Sequence, residues 1–205
     1  MTRLEEALGF KPEANSLYAL CDYATLLKKD IYLIDFVRTI KSLNVKIVQY
    51  RDKINSLESQ IENLNYLKKY LDMPIIVNDK IELLDYADGV HLGQEDLNQM
   101  KNEKLKVKSE ELVFKLLRKK YPNKLFGLST HNEKEILQAN TYDIDMIGLG
   151  AYKATNTKDV ESLLGDKLPY LAKISKHPVC AIGGVQIDDK ITNVTFNVVG
   201  SGLYI

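Results

Sequence analysis

Apolar residues in this chain come in short blocks that stop abruptly at polar residues or glycine. Eight such blocks recur: "LYALCD" (17–22), "KIVQYR" (46–51), "PIIVND" (74–79), "GVHLG" (89–93), "LFGLST" (125–130), "MIGLGA" (146–151), "PVCAIGG" (178–184) and "NVVGS" (197–201). They are continuous runs rather than alternations, and continuous runs rich in Val and Ile suit strands buried on both faces. Pro74 and Pro178 open two of them, a position where a strand tolerates a missing N–H.

Between the blocks the spacing becomes helical. In 31–43, Leu33, Phe36, Val37, Ile40 and Leu43 fall near one face, with Arg38 and Lys41 off it. In 56–71, Leu57, Ile61, Leu64, Leu67 and Leu71 repeat the pattern. The segment 109–120, "SEELVFKLLRKK", opens on a Ser cap and acids and closes on bases, as a helix dipole favours. Strands alternating with helices predict a parallel α/β protein, and eight strands close a (β/α)8 barrel. An open doubly wound sheet usually carries a Gly-rich phosphate loop after its first strand. Here "CDYATLLKKD" follows instead. The expected fold is therefore a TIM barrel, one domain over 1–205 with 1–16 as an N-terminal helical extension.

Two departures from a regular barrel are expected. "VQIDDKITNVTF" is too short for a full helix, so the seventh crossover is shortened. After the eighth strand stands only "GLYI", so the last helix is expected to be missing or truncated. The flank left bare is expected to be covered by "TRLEEALGF" or by a second subunit, a possible homo-oligomer.

Composition narrows the partners. The 205 residues carry 28 Lys+Arg against 28 Asp+Glu, so bulk charge gives no reason to expect nucleic acid or membrane. An anion must then be held by a local site. No apolar run approaches the roughly 18 residues of a membrane span. "MTRLEEALGFKPEANS" lacks the apolar region of a secretory signal, so a cytoplasmic location is expected. Cys21 and Cys180 belong to no CxxC or Cys/His cluster and read as small buried apolar residues.

In such a barrel the chemistry sits at the C-terminal ends of the strands. Those ends supply Gln49, Arg51 and Lys53, then Asn78 and Asp79, then Gln94, Glu95 and Asp96, then Ser129, Thr130 and His131. Thr155, Thr157 and Lys158 follow the sixth strand, Gly183-Gly184 end the seventh, and Gly200-Ser201-Gly202 the eighth. Gln49, Arg51 and Lys53 alternate along one extended strand end and point to one side, where a guanidinium and an ammonium suit a polyphosphate. Asp79 and Asp96 would repel each other unless a hard cation such as Mg²⁺ joined them to substrate phosphates. Exposed N–H groups of the late glycines, with Ser201, lie where this fold usually binds phosphate. Two phosphate zones, one with metal, point to a transferase joining two phosphorylated small molecules.

Plainer readings stand beside these. Arg51 and Lys53 could be ion-paired strand ends, and Asp79 could cap a helix over "KIELLDY". The glycine pairs could be ordinary turns. His91 reads as a hydrogen-bonded core residue, His177 as a surface one, and His131 as either a helix cap or an acid–base group. The basic stretch 101–124 reads as a solvated helix and its approach.

Taken in order, "VQYRDK", "IIVNDK", "DGVHLGQEDL", "GLSTH", "IGLGAYKATNTK" and "AIGGV" resemble the motifs of the thiamine phosphate synthase (thiamine-phosphate pyrophosphorylase) family from about residue 17 to 201. The resemblance implies a TIM barrel that couples a hydroxymethylpyrimidine diphosphate to a thiazole phosphate and releases pyrophosphate. It implies Gln49, Arg51, Lys53, Asn78 and Ser129 on the pyrimidine diphosphate, and Asp79 and Asp96 on Mg²⁺. Thr155, Thr157 and Lys158, with Gly184, Gly200 and Ser201, match the thiazole-phosphate side and the pyrophosphate neighbourhood. Arg51, Lys158 and Ser129 are the expected catalytic residues, in a dissociative reaction that needs no protein nucleophile. "GSGLYI" fits the family's Val-Ser ending loosely, which bears on Gly200. Two alternatives are a thiazole tautomerase using His131 and a non-catalytic phosphate-ligand-binding barrel. An unrelated barrel isomerase would need an acid–base pair that these residues do not assemble.

Overall fold

The structure is a computed structural model that describes residues 1–154 and 163–204. The eight expected strands are present: β1 (Ser16–Asp22), β2 (Ile47–Arg51), β3 (Ile75–Asn78), β4 (Gly89–Leu92), β5 (Leu125–Thr130), β6 (Met146–Leu149), β7 (Val179–Ala181) and β8 (Phe196–Val199). Each pairs in parallel with the next, and β8 closes on β1. The seams differ in length. From β1 to β2 the pairing runs from Tyr18–Ile47 through Asp22–Arg51, whereas β7 and β8 pair only at Cys180–Phe196 and Ala181–Asn197.

Closure explains the continuous apolar runs. Alternate residues point into the barrel, among them Tyr18, Leu20, Ile47, Ile76, Leu125, Met146, Cys180, Phe196 and Val198. Their neighbours, such as Ala19, Cys21, Val48, Val77 and Leu128, point outward under the helices. Both sets are out of water, so no polar alternation survives in the sequence.

The helices are α1 (Arg3–Leu8), α2 (Tyr23–Lys28), α3 (Leu33–Ser42), α4 (Leu57–Tyr70), α5 (Gln94–Gln99), α6 (Glu110–Lys120), α7 (Glu133–Ala139) and α8 (Leu168–Ile174). α3 buries Phe36, Val37 and Ile40, and α6 buries Val113, Phe114 and Leu117, as their spacing predicts. Each such side chain contributes about 1.5–3 kcal/mol on full burial. Ser109 caps α6 by accepting from Leu112 N. After β3 the chain makes a 3-10 helix, Ile81–Tyr86, and α5 runs into a π turn, Met100–Lys104.

The seventh crossover carries no helix. Its loop buries Val185, Ile191 and Val194 against the barrel instead. Asn197, itself buried, donates from Nδ2 to Asp189 O at 2.7 Å and ties that loop down. After β8 comes one 3-10 turn, Ser201–Leu203, with Leu203 buried and Lys29 Nζ donating to Tyr204 O at 3.0 Å. The flank is thus covered by the chain's own loops, and α1 is not there, contrary to expectation. Leu4 instead joins the barrel-interior cluster. Arg3 Nε donates to Asp145 Oδ1 at 2.8 Å, just before β6, and also pairs with Asp143, which fixes α1 across the N-terminal mouth. The buried Asp145 explains this placement, because its carboxylate also accepts from Arg118 Nη2 and Phe126 N, each at 2.8 Å. A buried carboxylate needs such partners.

Candidate active site

β1 and β2 end side by side, and there Arg51 Nη1 donates to Asp22 Oδ1 at 2.5 Å. The other Asp22 oxygen caps α2, accepting from Thr25 N at 3.1 Å and Thr25 Oγ1 at 2.6 Å. Lys53 is exposed, with Nζ 4.0 Å from Asp79 Oδ2. Both bases are ion-paired, Arg51 closely and Lys53 at the outer limit of such a contact.

Along the barrel axis a directed chain of hydrogen bonds runs upward. Tyr18 OH donates to Gln49 Oε1 at 3.2 Å, Gln49 Nε2 donates to Asn78 Oδ1 at 2.8 Å, and Asn78 Nδ2 donates to Asp79 Oδ2. Each amide is thereby oriented and aimed at the carboxylate. Asp79 takes a left-handed backbone, φ 63°, which Asp tolerates better than most side chains. Its N–H donates to His91 O at 2.9 Å, and its Oδ1 accepts from Gly93 N at 3.1 Å. It caps no helix, since the following turn begins at Ile81 without a side-chain cap.

Asp96 lies in the first turn of α5, directly after β4. A β-carbon on Gly93 would stand 2.8 Å from Asp96 Oδ2 and 3.7 Å from Asp79 Oδ1, so the two carboxylates converge over that glycine. Burial, and then the charge of Asp96, hold the Asp79 carboxyl above the usual carboxylate range. Among the described residues no group of three or more His, Cys, Asp or Glu gathers, so the acids stand as a pair.

Below this pair lies a cavity of about 50 Å³ lined by Tyr18, Gln49, Asn78, His91, Ser129 and Cys180, among others. Ser129 Oγ is 3.1 Å from His91 Nε2, and Ser129 O accepts from Gln94 Nε2 at 2.6 Å. Burial drives the His91 imidazole pKa down to about 4. Thr130 turns away and donates to Gly148 O at 2.9 Å. His131 is tied to the first turn of α7, where Glu135 Oε2 lies 2.9 Å from its Nδ1 and accepts from its backbone N–H at 2.8 Å. His177 is half-buried rather than on the surface, with Nε2 3.1 Å from Ala139 O. Cys21 and Cys180 are free and buried, and burial pushes both thiols up, as expected of inert core residues.

On the opposite side of the mouth, Gly183 and Gly184 have φ of 84° and 66°. A β-carbon on Gly184 would lie 2.6 Å from Ala154 O, so the segment after β6 packs where a side chain would stand. Lys153 N donates to Gly183 O at 2.8 Å, and Lys153 Nζ pairs with Asp189 Oδ1 at 2.8 Å. Thr155, Thr157 and Lys158 lie outside the described residues. Gly200 follows the last pair with β1, Ala19–Val199, and Ser201 is exposed at the start of its 3-10 turn.

Asp22 and Tyr18 escaped the sequence reading, and His91 was expected only as a hydrogen-bonded core residue, which it is, and not as part of the site. Asp22 closes the first apolar block as the other site residues close theirs, a signal that was available. Tyr18 and His91 sit within apolar runs, where nothing local separates an inward polar tip from a core side chain.

Polar groups from β1 through β5 thus meet at one end of a closed parallel barrel, the layout of a (β/α)8-barrel enzyme. The family model for thiamine monophosphate synthase matches residues 17–199. The chain belongs to that family. A thiamine-phosphate synthase of Persephonella marina is 37% identical over 178 residues, covering 83% of this chain and 77% of that one. Thiamine-phosphate synthase 1 of Streptococcus pneumoniae is 32% identical over 190 residues, covering 86% and 82%. A solved thiamine phosphate pyrophosphorylase from Pyrococcus furiosus shares the fold, with a TM-score of 0.68 at 22% identity over 91% of this chain and 87% of that one. Among the described residues no helix is long and apolar enough to cross a membrane.

Proposed function

We propose that the chain joins 4-amino-2-methyl-5-hydroxymethylpyrimidine diphosphate to a thiazole phosphate, giving thiamine phosphate and pyrophosphate. The observation that carries the site assignment is the convergence of Asp79 and Asp96 over Gly93, with Lys53 4.0 Å from Asp79 and Arg51 on the neighbouring strand end. Two half-buried acids without a cation repel, and a carboxylate pair open to water and phosphate oxygens is a donor set that fits Mg²⁺. Asp79 and Asp96 would hold it, and bound there it supplies positive charge against the diphosphate.

The other roles follow from the same arrangement. Arg51 and Lys53 grip the diphosphate and stabilise charge gathering on it as the C–O bond breaks. A preorganised donor of this kind is typically worth about 3–4 kcal/mol of barrier. Gln49, Asn78 and Ser129 orient the pyrimidine over the cavity. Thr155, Thr157, Lys158, Gly184, Gly200 and Ser201 are assigned to the thiazole phosphate and to the departing pyrophosphate. The barrel walls exclude water, which would otherwise quench the pyrimidine-stabilised cation before the thiazole nitrogen captures it.

An assay with both phosphorylated halves, with and without Mg²⁺, tests this by following thiamine phosphate. Metal-dependent product that Asp96→Ala abolishes supports the reading. Tight binding of either half without pyrophosphate release would instead make the chain a ligand-binding barrel.

A further inference from the structure

We propose that His91 is a positioning residue: its neutral imidazole, protonated at Nε2, turns the Ser129 hydroxyl into a hydrogen-bond donor aimed at the cavity. This rests on the reading above, in which Ser129 meets the pyrimidine ring.

The ring is held from several sides. Its Nε2 lies 3.1 Å from Ser129 Oγ, while its Nδ1 is buried with no partner among the described residues. A β-carbon on Gly127 would overlap Nδ1, and one on Gly148 would stand 3.0 Å from Nε2. The imidazole therefore lies against the bare backbones of β5 and β6, with no room to swing. Gln94 pins Ser129 from the other side through its carbonyl.

The unpartnered nitrogen selects the tautomer. A proton on Nδ1 would bury an N–H with no acceptor, and orphaned buried N–H groups are rarer than under-used acceptors. The proton therefore sits on Nε2 and is donated to Ser129 Oγ. Serine owns a single hydrogen. With its oxygen already accepting from His91, that hydrogen is free for an acceptor in the cavity, and pyrimidine ring nitrogens are acceptors.

A double-mutant cycle tests this. Steady-state kcat and KM for the pyrimidine diphosphate are measured for wild type, Ser129→Ala, His91→Leu, His91→Gln and the double His91→Leu/Ser129→Ala, with thermal melts alongside. Ser129→Ala is expected to lower kcat/KM by about 10–100-fold, the loss of one aimed donor. His91→Leu should match it within a few-fold, and the double variant should be no worse than Ser129→Ala, because the two residues act as one unit. His91→Gln, whose amide N–H can reach the Nε2 position, should recover most of the loss. Losses that multiply in the double variant, or a glutamine as impaired as leucine, would overturn the proposal. Ser129→Ala at the wild-type rate would instead overturn the Ser129 assignment beneath it, and this proposal with it. Should His91→Leu not fold, His91→Gln against Ser129→Ala completes the cycle: retention in the single variant with no extra loss in the double supports the proposal, and multiplied losses overturn it.

Discussion

Asp22 accepts a hydrogen bond from Arg51, so the first two strand ends present one oriented ion pair rather than a loose guanidinium. The fork has five donors, and a single Nη1–H···O bond to Asp22 fixes its direction while leaving others for a phosphate. Arg51→Lys should lower kcat/KM about 100-fold with little change in melting temperature, because an ammonium cannot meet Asp22 and a phosphate in fork geometry. Asp22→Asn keeps a good helix cap and should raise KM for the diphosphate about 10-fold. Steady-state kinetics beside thermal melts separate these effects, and a lysine variant at full activity would remove Arg51 from the site.

The carboxylate pair sets up a second test. A carboxyl with a folded-state pKa above its unfolded value adds stability at low pH that is lost as pH rises through the folded pKa. Asp79 is such a group, so at neutral pH without divalent cation it destabilises the fold. Asp79→Asn should then melt higher than wild type in chelator. Mg²⁺ should raise the wild-type melting temperature and leave that variant unmoved; equal shifts in both would place the metal elsewhere.

His91 carries the opposite sign. Its pKa falls from 6.5 to about 4 on burial, so the unfolded chain binds the extra proton between those values. Stability is therefore lost as pH falls through that window, by on the order of 3 kcal/mol in full. Urea unfolding from pH 4 to 7 should show His91→Gln losing less stability than wild type on acidification. Parallel curves would mean the imidazole is not buried neutral.

At the other end of the barrel, Leu4→Ala should cost roughly 2–4 kcal/mol, because the side chain is buried among the inward-facing residues. The substrate KM values should stay unchanged, since α1 lies across the mouth opposite the site. Differential scanning calorimetry with kinetics on the same sample checks both halves.

How much of this was legible depends on what each residue answers to. The strands were readable because burial on two faces leaves long apolar runs, and α3, α4 and α6 because one buried face repeats at helical spacing. The convergence of Asp79 and Asp96 was foreseeable from their place after two strands, but Gly93 as the meeting point was not, because it depends on a side chain that is absent. The position of α1 was misjudged. The bare flank looked like its natural target, whereas the decisive partners, Asp143 and Asp145, are distant in sequence and announce themselves only when the strands are laid out. Asn197 was likewise opaque, since a polar residue between Phe196 and Val198 acquires its partner from the loop that replaces a helix.

That loop has a consequence for how the molecule breathes. β7 and β8 meet at only Cys180–Phe196 and Ala181–Asn197, with no helix laid over their junction. Local opening begins where covering is thin and pairing short. Amide exchange should therefore be fastest at this joint and slowest between β1 and β2. Because Gly183, Gly184 and the Lys153–Asp189 pair border the same joint, the more yielding wall of the barrel is the one assigned to the second substrate.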